Sequence, residues 1–175
     1  MTKITFDTSQ LKTLKEKLKK AGPVAIANIN AEVEATANDA LNIATRLTPV
    51  DKGSLRSSNY LKQTDEMVYE IGNNSEYAAY VEFGTGKRVV IPAELTSFAQ
   101  QFKGGTGESW DNALEEIKEW CKRQGIPEEA AYPILVSILN NGVEPQPFLY
   151  PALKLGRKVL TVRIKNYIKT FGIDE

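Results

Sequence analysis

Apolar positions recur at helical spacing along much of this chain, with two short stretches where they alternate. Residues 1–8 are short and β-leaning, with Ile4 and Phe6 set against Thr5 and Asp7. Ser9 suits the cap of a helix carrying Leu11, Leu14 and Leu18 among lysines, which Gly22-Pro23 ends or kinks. From Val24 to Leu47 a longer helix is predicted, striped by Ile26, Ile29, Val33, Ala37, Ala40, Leu41, Ala44 and Leu47. Alanine dominates the end of that stripe and permits close approach of a partner while burying little area per residue. Thr48-Pro49 stops the helix, because the residue before proline is pushed out of helical geometry.

Pro49 to Gly53 reads as a turn and Ser54 to Lys62 as extended. Residues 67–71, Met-Val-Tyr-Glu-Ile, read as a strand, so Thr64-Asp65-Glu66 is the expected hairpin loop. Tyr77 to Phe83 fits a short helix or a third strand, and Val89 to Ile91 is again β-like. Beyond a glycine-rich run at 103–107, Trp110, Ala113, Leu114, Ile117, Trp120 and Cys121 share a helical face, with Ser109 as cap. Ile134, Leu135, Ile138 and Leu139 give the next helix its buried side, so residues 93–142 read as an inserted helical hairpin. The proline-stiffened segment Glu144 to Leu153 then leads into a final helix. Leu153, Leu160, Ile164, Tyr167, Ile168 and Phe171 lie on one side of it, and Lys154, Arg157, Lys158, Arg163, Lys165 and Lys169 on the other. A single domain spanning 1–175 that carries the hairpin as an insertion accounts for these elements most economically.

Composition narrows the chemistry. With 175 residues and 42% hydrophobic content the chain can bury one core. The 22 basic and 22 acidic residues balance, so overall charge favours neither nucleic acid nor an acidic partner. The absence of histidine removes histidine bases, Ser-His-Asp and Cys-His nucleophile systems and most zinc sites. The single cysteine, Cys121, leaves no internal disulfide. No signal-like run and no membrane-spanning stretch is visible, so the expectation is a soluble protein that uses no membrane.

Local charge is less even. No acid lies between Tyr150 and Ile173, whereas Glu108 to Glu129 carries seven acids against three bases. The basic helix therefore suits DNA phosphates, an acidic patch of another subunit, or water. The loop Thr48 to Arg56 reads as structural: Asp51 accepts backbone N–H groups, Gly53 takes a left-handed conformation, and Arg56 pairs with Asp51 or with Glu82. Gly84-Thr85-Gly86-Lys87-Arg88 lacks the spacing of a phosphate-binding loop. It reads as an exposed or channel-facing loop whose Lys87 and Arg88 add positive charge. Carboxylate pairs such as Glu115 with Glu119 fall on wet helix faces, and no catalytic residue, cofactor or metal is expected.

Three segments taken together carry a resemblance: Thr48 to Ser58, Tyr77-Ala-Ala-Tyr-Val-Glu-Phe-Gly-Thr-Gly86, and Pro145-Gln-Pro-Phe-Leu-Tyr-Pro-Ala-Leu153. In this order, after an alanine-rich helix, they resemble the gene-product-ten-like family of tailed bacteriophages, whose members are described as neck, head-to-tail joining, tail-completion or minor tail proteins. The likeness covers roughly residues 25–92 and 143–170; many members lack the 93–142 insertion. It implies an α+β fold in which the long early helix packs on a small curved antiparallel sheet, with the inserted helical hairpin and a basic C-terminal helix. It further implies a virion component, assembled in the host cytoplasm, that forms a homo-oligomeric ring in the neck or tail. Such a ring sits beside connector or head-closure proteins and tail-terminator or tail-tube proteins, and DNA passes through its lumen without sequence recognition. It also implies scaffold roles: Pro49, Asp51, Gly53, Leu55 and Arg56 at the entry to the sheet; Tyr77, Tyr80, Glu82, Phe83, Gly84, Thr85 and Gly86 at a packed corner; Pro147, Phe148, Leu149 and Pro151 anchoring the proline segment. Lys87, Arg88, Lys154, Arg157, Lys158, Arg163 and Lys165 are the candidate DNA or inter-subunit contacts. A tail-terminator or head-closure ring, or a stand-alone DNA-binding protein, are the alternative readings.

Overall fold

The computed structural model describes residues 2–5, 22–96 and 110–170, the first of these and residues 110 and 111 as backbone only. The expected helix over Leu11 to Leu18, the 103–107 glycines, the Ser109 cap and Phe171 lie outside the described residues. The chain forms β1 (Thr2–Thr5), α1 (Pro23–Leu47), α2 (Ser54–Ser57), β2 (Asn59–Asp65), β3 (Val68–Asn73), α3 (Ala78–Phe83), α4 (Trp110–Gln124), α5 (Ala131–Asn141) and α6 (Leu149–Lys169). The three strands are antiparallel in the order β1-β3-β2.

Helix α1 starts with Pro23 in its first turn, where a missing N–H costs nothing. Its Ala25, Ile29, Val33, Ala37, Ala40 and Ala44 are buried. The alanines let both β3 and α6 come close. Tyr69 and Met67 pack on the first half of α1 together with Ile164 from α6. Ile71 packs on the second half with Leu55, Ala78, Phe148, Leu149 and Ala152. Leu47, expected in the stripe, is 47% exposed, since the chain turns away at Thr48.

Several local expectations change. Residues 54–57 form α2 instead of extended chain, because Gly53 at φ 83 starts a helical turn and Ser57 and Ser58 return hydroxyl bonds to the Ser54 carbonyl. The hairpin turn falls one residue later than Thr64-Asp65-Glu66: β2 runs through Asp65, which pairs with Val68 across a bulge, and Met67 takes φ 61 in the turn. The open choice over Tyr77 to Phe83 resolves as helix α3. Val89 to Ile91 joins no strand; it follows a single 3-10 turn at Gly86–Arg88, and the Val90 amide donates to the Phe83 carbonyl at 2.9 Å. Helix α6 begins at Leu149, inside the proline segment, with Pro151 accommodated in its first turn.

The inserted helices pair with each other, and the chain returns to the body through a backbone crossing. There the Thr85 amide donates to the Val143 carbonyl at 3.0 Å and the Val143 amide to Thr85 Oγ1 at 2.8 Å. A Cβ on Gly142, whose φ is 83, would overlap the Thr85 carbonyl, so only glycine permits this approach. Of the expected buried side of α5, Leu135 is covered but Leu139 is 60% exposed.

Candidate functional site

The two later motif segments meet at Glu82. Glu82 lies on the buried side of helix α3 and is only 1% exposed. Its carboxylate lies at the start of α6, where the first amides have no helical partners. Glu82 Oε2 accepts from the Phe148 and Leu149 amides at 2.8 and 2.9 Å, and Oε1 from the Tyr150 amide at 2.8 Å. An acid from another element thus does what a local serine or aspartate cap does elsewhere, helped by the positive end of the helix dipole. Burial pushes the carboxyl above its ordinary range, and the three amides pull against that shift. The same segment is tied once more where the Gln146 amide donates to the Val81 carbonyl at 2.8 Å.

A second buried polar knot holds the first motif. Thr48 and Asn73 are both essentially inaccessible. Asn73 Nδ2 donates to the Leu55 carbonyl at 2.7 Å and to Asn59 Oδ1 at 2.8 Å, while Asn59 Nδ2 donates to Thr48 Oγ1 at 2.8 Å. Asn73 Oδ1 accepts from the Ser75 amide at 2.8 Å. The end of α1, α2 and the β-hairpin are stitched through these side chains. Sequence reading missed Asn59 and Asn73, since an asparagine beside a glycine or a serine carries no mark of burial.

The expected Arg56 pairings are corrected. Its guanidinium donates to the Thr48 carbonyl at 3.0 Å, closing the end of α1. Asp51 instead takes a two-pronged contact from Arg123 of α4, at 2.9 and 2.7 Å, which holds its carboxyl below the usual range. Arg163 also departs from the open basic face: it turns to α1, bonding Asp39 at 2.8 Å and Thr36 Oγ1 at 3.1 Å. The amphipathic count placed it with the lysines because its long stem starts near the boundary of the buried side.

Leu55, Phe83, Gly84, Phe148 and Leu149 are buried, and Pro49, Tyr80, Thr85 and Pro151 half-buried. Tyr77, expected in the core, is 44% exposed with its hydroxyl 2.9 Å from Ser54 Oγ. Gly86 and Pro147 are exposed, as are Lys87, Arg88, Lys154, Arg157, Lys158 and Lys165. Arg88 pairs with Glu144 across the crossing at 3.0 Å. Tyr150 hydrogen-bonds Glu94, and the Lys154 ammonium sits 5.9 Å from the Tyr150 ring centroid. Among the described residues no group of three or more metal-ligating side chains converges, and no helix is long and apolar enough to cross a membrane. The arrangement puts its buried polar groups to work on its own backbone.

Residues 12–84 match the model of a bacteriophage HK97-gp10-like family described as a putative tail component. No curated protein and no solved structure gives a significant match.

Proposed function

We propose that this chain is a structural component of a tailed-phage particle. In this reading it is one copy of a ring at the neck, where the head connector meets the tail, and DNA passes through the lumen without sequence recognition. The observation that carries the reading is the match of residues 12–84 to a phage tail-component model. The geometry supports it in two ways. Glu82, which lies inside the matched region, fixes the Phe148 to Tyr150 turn beyond it, so the third motif segment is built into the same body. The buried polar residues Thr48, Asn73 and Glu82 are satisfied by backbone or by each other, the economy of a scaffold.

The exposed Lys154, Lys158 and Lys165 on α6 would face either the passing DNA or a neighbouring subunit. The same body serves a tail-terminator or head-closure ring. The basic face also favours a second reading, a stand-alone DNA-binding protein, which requires salt-sensitive binding of duplex DNA by the isolated chain through that face. An image of the assembled particle with this chain located in it tests the proposal: density for a ring of this fold between head and tail is expected, and infectious particles containing none of it would overturn the reading.

A further inference from the structure

Helix α5 is apolar around most of its circumference. No charged side chain lies between Ala130 and Val143, yet only Ala131 and Leu135 of the helix are buried. Tyr132 is 58% and Leu139 60% exposed, and with half-buried Val136 between them they mark a single edge at spacings of four and three. A helix of this composition is normally covered on both sides. Helix α6 carries a complementary strip: Leu155 is 48% and Val162 57% exposed, two turns apart, with exposed Lys158 and Lys165 beside them. Within one chain α6 packs on α1, while α5 packs on α4 and on the Gly86–Arg88 turn, so the two strips are presented separately.

We infer that these strips are the two halves of a single head-to-tail contact between copies of this chain: the α4–α5 hairpin of one copy lies along the outer face of α6 of the next. Charge selects this pairing. Residues 110–141 of the hairpin carry six acids against three bases, Glu116 and Glu129 among the exposed ones, whereas α6 carries no acid and exposes Lys158 and Lys165. Hairpin against hairpin would set carboxylates together and α6 against α6 would set lysines together, whereas hairpin against α6 joins opposite charges around matched apolar cores. Two different surfaces make a heterologous contact, which closes into a ring when the rotation per copy divides a full turn. The inference deepens the ring reading and rests on it.

Leu139→Asp and Val162→Asp place a charge in each strip at an exposed position, and circular dichroism melting verifies that both fold. By sedimentation velocity the full-length chain is expected to assemble, each variant alone to remain monomeric, and an equimolar mixture of the two to form a dimer and stop there. That outcome follows because the first variant keeps an intact α6 and the second an intact hairpin. A Val162→Asp chain that assembles like the parent, a mixture that stays monomeric, or a parent chain monomeric at every concentration overturns the inference. So does protection from thiol reagents of a cysteine at 139 in the monomeric Val162→Asp background, since the chain's own residues would then cover α5. The particle image separates this from the ring reading. Absence from particles with the mixing result intact removes only the location, and a located ring built normally from Val162→Asp subunits removes only the contact.

Discussion

A buried carboxylate that accepts from the first three amides of a helix in another part of the chain makes Glu82 the residue on which the two later motif segments depend. Glu82→Ala leaves those amides without acceptors in an apolar pocket, and a loss of about 3–5 kcal/mol in urea unfolding is expected. Glu82→Gln keeps the shape and one acceptor oxygen, so a smaller loss of about 1–2 kcal/mol is expected. A Glu82→Gln chain as stable as the parent would mean that packing, and not the amide bonds, holds the junction. Tyr60 gives a spectroscopic handle on the other side of the sheet. Its ring lies across Gly72, where any Cβ would collide with it, and its hydroxyl donates to Glu70 at 2.6 Å. Burial and that carboxylate push the phenol up to about 12. A raised value means that its contribution to stability is complete below the ordinary tyrosine range and is lost as pH rises through about 12. Tyr69 and Tyr150 are also pushed up, and ultraviolet titration should show one tyrosinate fewer at the late end of the curve in Tyr60→Phe.

At the scale of elements, the long patterns were legible and the short ones were not. Twenty-five residues of α1 repeat their stripe often enough to fix both type and face. By contrast, the four residues of α2 depend on Gly53 and three serines, whose hydroxyl bonds compete with an extended chain that composition alone favours. The burial of Tyr77 and Leu139 was misjudged for a related reason: aromatic or aliphatic character states a preference, and only the neighbours decide whether it is met. The attachment of α4 through Arg123 was out of reach, since Asp51 and Arg123 are separated by 72 positions. The Arg123 guanidinium lowers the Asp51 carboxyl, so this tether acts above the ordinary carboxylate range and is lost as pH falls through the lowered value. Amide exchange in α4 should rise relative to α1 on acidification, and Asp51→Asn should give the same rise at neutral pH.

For the whole molecule, the buried members of the two larger apolar clusters come from outside the hairpin, although Ile91 and Leu95 ahead of it cover Ala79 and Phe83. Thr85 and Val143 are already in hydrogen-bond contact, so joining them through a few glycines in place of residues 87–141 spans little distance and adds little closure entropy. The shortened chain should keep a cooperative thermal transition; a non-cooperative melt would show that the hairpin is part of the folding unit. Gly142→Ala strikes the crossing itself, with both a left-handed φ and an overlap against Thr85, and a loss of about 2–4 kcal/mol is expected in chemical denaturation. The presence of an inserted hairpin between the second and third motif segments was visible in the sequence because glycine and proline punctuate it. Its docking was not, because two glycines meeting backbone to backbone leave no periodic trace. A crossing that narrow behaves as a socket. What is inserted there can change while the backbone contacts of Thr85, Gly86, Gly142 and Val143 stay as they are.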